Sequence, residues 1–270
     1  MKKRPEILEL LFVVMTFLVL LSSIAVTNHT YAQNATSEDE DVEFAVNVKI
    51  IKVHLVTAFA NKQMENLALA KAHLSHHGHE LFSVIGDHIK KHDTKLADEL
   101  ENALDQLSHN VDIMSASEFK QEVSRINALL DDSLKAVLSE TTIDDAKFQM
   151  SVMIKLLREA EHQYEEAYED GSIKNVMNYE DAQELRVHAN RIFESIADNV
   201  DDTNRERLRE LFLDLRTSMN TTAEPEKVRS LIDEIVHVVP EFPIGVVVLA
   251  VLLSAMVLAT RLRGSAWIKR

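Results

Sequence analysis

Histidine is distributed unevenly along this chain. Six of the twelve histidines fall in one stretch: His73, His76, His77, His79, His88 and His92. On a helix, His73, His76, His77 and Glu80 stand at i, i+3, i+4 and i+7 and so share a face, the spacing at which imidazoles and a carboxylate can hold one ion. Neutral imidazole suits zinc, copper, nickel or iron, and carboxylates shift the preference toward iron and manganese. His54 can approach from the preceding helix, and His88 with His92 makes a second i, i+4 pair. Gly78 lies inside the stretch, where a helix can break and spoil the register. The competing reading is a polar helix end that faces solvent and is locally rich in histidine.

A second cluster is Glu159-Ala160-Glu161-His162-Gln163-Tyr164-Glu165-Glu166. Glu159 and His162 have the Glu-x-x-His spacing of di-iron sites in helical bundles, with Glu166 on the same face. Such a site needs a second motif of this kind facing inward. The other match, Glu234-Ile235-Val236-His237, adjoins the apolar C-terminal stretch, so a ferritin-like oxidase is not supported. The alternative here is an exposed acidic face. No HExxH occurs, nor a nucleophile elbow, a phosphate loop or a pair of catalytic acids in an apolar setting, and the expectation is a protein that is not an enzyme. The absence of cysteine removes disulfides, thiol catalysis, iron–sulfur clusters and blue copper.

Helices must position these residues. The 270 residues are 46% hydrophobic and 27% charged, enough for a packed core, yet hold only five glycines and four prolines. Between Glu6 and Glu224 there is no proline, and Gly78, Gly86 and Gly171 are the only glycines there. A sheet needs turn residues far more often, so the fold class is all-α. After an acidic linker over 33–42, apolar residues recur at helical spacing: Val46, Ile50, Val53, then Val56 or Thr57, then Ala60. Asp93, Ser115 with Glu118, Thr142 with Asp145, Thr203 with Glu206, and Pro225 mark helix starts. The expected helices are 43–61, 64–76, 79–91, 94–109, 116–139, 143–170, 176–200, 203–219 and 225–238, with the first two open to being continuous.

Displacing the chain on itself by 111 residues sets His77 to Asp87 on His188 to Asp198, with Phe82 on Phe193, and Leu100 and Leu104 on Leu211 and Leu215. Ile126 to Asp132 parallels Val228 to Glu234 with a shorter connection. The economical reading is two tandem antiparallel four-helix units, 43–140 and 143–238. The alternative is that any two amphipathic helical hairpins align this well.

Both ends read as membrane signals. Lys2, Lys3 and Arg4 precede an apolar run from Leu10 to Val26, and Thr30-Tyr31-Ala32 offers a cleavage pattern before Gln33, so 1–32 is read as a signal peptide. The run is also long enough for an uncleaved anchor. Residues 242–260 are apolar over about the length that spans a bilayer, and the basic tail 261–270 has no acid, which places the C-terminus in the cytoplasm and the middle outside. All but seven of the 29 lysines and arginines, and all but two of the 44 acids, lie in residues 33–245, a segment with a net charge of −20. That sign excludes nucleic acid as a partner. Asn34-Ala35-Thr36 and Asn220-Thr221-Thr222 are sequons that suit a surface protein.

Pro240-Glu241-Phe242, the apolar helix after it, and Arg261 with Arg263 resemble the PEF-type sorting signals of archaeal surface proteins. That resemblance implies removal of the helix by an archaeosortase and transfer to a lipid anchor. The exported, doubled helical chain also resembles the imelysin-like iron-uptake proteins and the helical domains attached to iron permeases, which carry a His-x-x-Glu metal motif. The matching positions are His77 to Glu80 and His162 to Glu165, with Ser75 or Ala160 where imelysins have a glycine; Tyr179-Glu180-Asp181-Ala182 is similar to the permease-associated domains. This likeness implies capture of iron or copper and its relay to a membrane permease.

The expectation is therefore a cell-surface-anchored, extracytoplasmic helical protein. It would bind a transition-metal cation, iron or copper, through His73, His76 and Glu80, assisted by His54 and His77, with Glu159 and His162 contributing from the second unit. The other class is a structural or interaction protein of the cell envelope that docks a surface-layer neighbour and holds no ligand.

Overall fold

Where the chain can leave the helical conformation decides the architecture. A computed structural model describes residues 38–239, with the side chains of 75–81 excepted. The expected signal peptide, the apolar stretch 242–260 and the basic tail lie outside the described residues. Among those described, no helix is long and apolar enough to cross a membrane. The protein is predominantly helical, and the chain divides into two compact units between Ile143 and Asp144.

The first unit begins with α1 over 38–63, followed by α2 (Leu67–His92), α3 (Thr94–Asn110), α4 (Ala116–Val137) and the single turn α5 (Glu140–Ile143). Part of the expected linker, residues 38–42, is helical instead. The α1–α2 break falls at Glu65, which has a left-handed φ of 60°, and Asn66 then caps α2 by accepting from the Leu69 N–H. The two helices expected on either side of Gly78 are one: α2 runs unbroken through it. A mid-helix glycine costs only about 1 kcal/mol, and no proline stands nearby. Asp93 ends α2 and caps α3 through Leu96 N–H, while Ser115 and Glu118 make the anticipated capping box on α4.

Contacts between helices give the topology. Phe44 meets His88 and His54 meets His73 across α1 and α2. Phe59 stacks on Phe119, and Lys52 Nζ reaches Asp131 at 2.5 Å across α1 and α4. Lys90 pairs with Glu101, and Arg125 with Glu99. Across α1–α2 and α1–α4 the numbering runs in opposite directions, and the short connections at Asp93 and 111–115 fold α3 back between α2 and α4, so the unit is an up-down-up-down bundle. Its interior is aliphatic: Ile51, Leu55, Ile85, Ile89, Leu100, Leu107, Ile126 and Leu130 are fully buried.

Helix α1 is buried around most of its circumference, with Phe44 to Val48 and Ile51 to Leu55 both continuous runs of buried residues. That enclosure takes in charge. Burial, and the Lys52 ammonium one turn away, hold the Lys49 amine below the ordinary lysine value, offset only in part by Asp131. The unfolded chain therefore binds this proton more tightly than the folded one, and stability rises as pH climbs toward the ordinary value of 10.5. Lys49→Met is expected to raise Tm by a few degrees at pH 7, with the gain shrinking toward pH 10; thermal melts at the two pH values check this.

The second unit comprises α6 (Ala146–Ala167), β1 (Tyr168–Glu169), β2 (Ser172–Ile173), α7 (Val176–Ile196), a 3-10 turn (Ala197–Asn199), α8 (Asp202–Asn220) and α9 (Pro225–Val238). The expected helix 143–170 is cut short at its end. Asp170 (φ 49°) and Gly171 (φ 77°) both adopt positive φ, which closes a two-residue hairpin of the primed type that Asp-Gly favours. Asp145 and Asp201, rather than Thr142 and Thr203, supply the caps of α6 and α8, and Pro225 opens α9 as expected. Tyr164 packs near Tyr179, Phe193 stacks on Phe212 at 5.4 Å, and Arg158 reaches Asp233 at 2.7 Å. These contacts again make neighbouring helices antiparallel, in a second four-helix bundle.

Candidate metal centre

Helices α1 and α2 of the first unit bring two of the expected ligands together. His54 is 5% exposed and His73 is fully buried. Their ring centroids lie 6.0 Å apart with planes inclined by 35°, and a ring nitrogen of each comes within 4.8 Å of the other. The surrounding face of α1 is polar as well. His54, Thr57 and Asn61 recur at i, i+3 and i+7, all buried, and Thr57 Oγ1 donates to the Val53 and His54 carbonyls at 3.0 and 3.1 Å. Asn61 Nδ2 in turn donates to the Thr57 carbonyl at 3.1 Å. A buried polar row has a desolvation cost, and buried imidazoles whose ring nitrogens converge can offset it by holding a metal ion.

Because α2 is unbroken, His73, His76, His77 and Glu80 keep the i, i+3, i+4, i+7 register along it. The side chains of His76, His77 and Glu80 lie outside the described residues. His88 lies beside Phe44, with ring centroids 5.9 Å apart, and His92 is exposed, so the second histidine pair forms no cluster with a common interior.

Glu159 and His162 are placed differently from His54 and His73. His162 is exposed on α6, its Nε2 3.5 Å from Glu166 Oε1, and Glu159 accepts from Gln163 Nε2 at 2.8 Å. Glu165 is held by Arg229 of α9, which also binds Glu161 at 3.0 Å. These carboxylates are engaged at the α6–α9 seam, whereas a bundle di-iron site needs inward-facing ones.

The second unit has a row that the histidine motifs do not single out. Asp181, Glu184 and His188 stand at i, i+3 and i+7 on α7; Asp181 is buried, and Glu184 and His188 are largely so. Glu184 Oε1 lies 3.6 Å from His188 Nε2 and 3.7 Å from an Arg191 nitrogen, both too long for hydrogen bonds. The signal was present: the 111-residue displacement that sets His77 on His188 also sets His73 on Glu184. Burial pushes the Glu184 carboxyl above its ordinary value, and Arg191 and Arg186 pull it back only partly. A carboxyl raised in the folded state contributes stability below its unfolded value that is lost as pH rises through the folded one. Glu184→Gln is therefore expected to raise Tm by a few degrees at pH 7, with the difference vanishing below the ordinary value of 4.5.

The comparison with known families bears on this second unit. Residues 139–242 match the model of the iron permease-associated 4-helix bundle domain. The matched segment runs from α5 through α9 and contains Glu159, His162, Asp181, Glu184 and His188. The second unit is thus similar to a helical domain associated with iron permeases, as the residues around Tyr179 suggested. The His54–His73 pair lies outside the match. No curated protein and no solved structure matches the chain.

Proposed function

We propose that this protein binds a transition-metal cation, iron or copper, outside the cell membrane and passes it to a permease, without catalysing a reaction. The observation that carries the reading is the similarity of residues 139–242 to the iron permease-associated bundle domain. The buried His54 and His73 supply nitrogen donors of the right type, and the continuous α2 keeps His76, His77 and Glu80 in helical register with His73. The basic start followed by an apolar run, and the apolar stretch before a basic tail, support an exported chain tethered at the outer face. The PEF-type pattern at Pro240-Glu241-Phe242 supports processing by a sortase to a lipid anchor.

The test is metal analysis and calorimetric titration of the intact chain in detergent with Fe, Cu, Zn and Mn salts at pH 7. One cation per chain at micromolar affinity or tighter is expected. Weak, non-saturating uptake of every metal would replace this reading with that of a structural protein of the envelope.

A further inference from the structure

The second unit carries a basic patch, opposite in sign to the net charge of the chain. A groove of about 360 Å³ opens between α7 and α8, a volume at the lower end of the range for small-molecule sites. Arg186, Arg191, Arg209 and Arg216 line it, with Glu194 its one acid. The whole protein has a formal charge of −15 and repels anions at long range, so an anion that binds must be held by a local cluster such as this.

Two of the four arginines are already engaged. Arg209 pairs with Glu194 at 3.3 Å and Glu206 at 3.0 Å, and Arg191 lies 3.7 Å from Glu184. Arg186 and Arg216 have no carboxylate within ion-pair distance among the described residues. Arg186 is only 8% exposed, and its guanidinium makes two long hydrogen bonds, at 3.4 and 3.3 Å, to the single neutral oxygen of Gln183. That oxygen is itself fixed, because Gln183 Nε2 donates to Tyr179 Oη at 2.9 Å and Asn220 Oδ1 at 3.1 Å. The arginine is therefore held by a neutral anchor with most of its donor fork unspent. Burial and the neighbouring Arg216 lower its hold on its proton, offset only in part by Glu184 and Tyr179, and a guanidinium stays charged at neutral pH. A buried cation of this kind is stabilised by an anion that accepts in the plane of the fork.

We propose that the α7–α8 groove binds a small carboxylate anion, with Arg186 as the buried fork and Arg216 as the second cation at the groove's exposed edge. Phe212 and Val187 supply apolar walls for the carbon frame of such a ligand, and Asn190 a further polar group. The site stands apart from the metal-binding reading, since neither arginine can ligate a cation.

The test is calorimetric titration of the metal-free intact chain in detergent with sodium citrate, and in parallel with sodium phosphate. Saturable binding of citrate at one site is expected, weakened at least tenfold in Arg216→Gln, an exposed position where the fold is not at risk. Arg186→Gln should lose more, Arg186→Lys should not restore it because the planar fork is gone, and Arg158→Gln on α6 should leave it unchanged. Absence of saturable citrate binding, citrate affinity unchanged in Arg216→Gln, or a site that phosphate saturates and citrate does not would each overturn the proposal. Metal titration of the same preparation reads the other hypothesis, so either can fail alone.

Discussion

Alanine at His73 is expected to lower the affinity of the intact chain for its preferred transition metal by a hundredfold or more. The expectation follows from geometry. His73 is fully buried opposite His54, and removing one of two buried nitrogen donors leaves the ion a coordination position that only the weaker ligand water can fill. His54→Ala should produce a loss of the same order, whereas His162→Ala, on the exposed face of α6, should change affinity less than twofold. A buried histidine also fills space, so each variant is paired with a thermal melt. His54→Gln, closer in volume, separates a lost ligand from a disturbed core, because it should weaken metal binding at near wild-type Tm.

The helices were legible because so little in the chain can interrupt one. With no proline between Glu6 and Glu224, the ends had to be marked by capping side chains, and Asp93, Ser115 with Glu118, and Pro225 mark them at the expected places. The errors fall where two signals compete. Gly78 looked like a break, but a helical glycine costs little and the helix continues through it; the break sits at Glu65-Asn66, where an αL residue and an Asn cap cooperate. The helix expected over 143–170 stops at the right glycine but runs three residues too far, because Tyr168 and Glu169 pair with Ser172 and Ile173 and Asp170 with Gly171 takes positive φ to close a hairpin turn. For the site, residue type and spacing placed the histidines on helices but could not say which faces turn inward. Periodicity gives His54 and His162 equal standing; packing buries the first against His73 and leaves the second in solvent beside Glu166. The α7 row Asp181, Glu184 and His188 escaped because a carboxylate-rich helix in an acidic chain offers many such spacings. Only burial separates this row from the others. Arginines around the α7–α8 groove were invisible for the opposite reason: the net charge of the chain drew attention to acids.

Tyr164→Ala is expected to cost about 3–5 kcal/mol of stability, the largest loss from any single substitution considered for the second unit. Tyr164 on α6 is fully buried, its ring 6.2 Å from both Tyr168 and Tyr179, and its hydroxyl donates to the Ala223 carbonyl at 2.6 Å. One side chain thus ties α6 to the hairpin, to α7 and to the α8–α9 connection. Truncation to alanine opens a cavity that three fixed elements cannot close, and strands the Ala223 carbonyl. Tyr164→Phe isolates the second effect: the ring remains, the acceptor loses its donor, and the loss should be about 1–2 kcal/mol. Burial, with Tyr179, Tyr168 and Glu224 around it, pushes the phenol up to about 12. Folding therefore favours the protonated phenol, and the stability Tyr164 contributes is retained through neutral pH and lost only as pH rises from the ordinary value of 10.0 through about 12. The gap between wild type and Tyr164→Phe, measured by denaturant melts, should be constant from pH 6 to pH 9 and narrow above pH 10. A gap that narrows already at pH 8 would mean that the hydroxyl is not held by Ala223 in a dry interior.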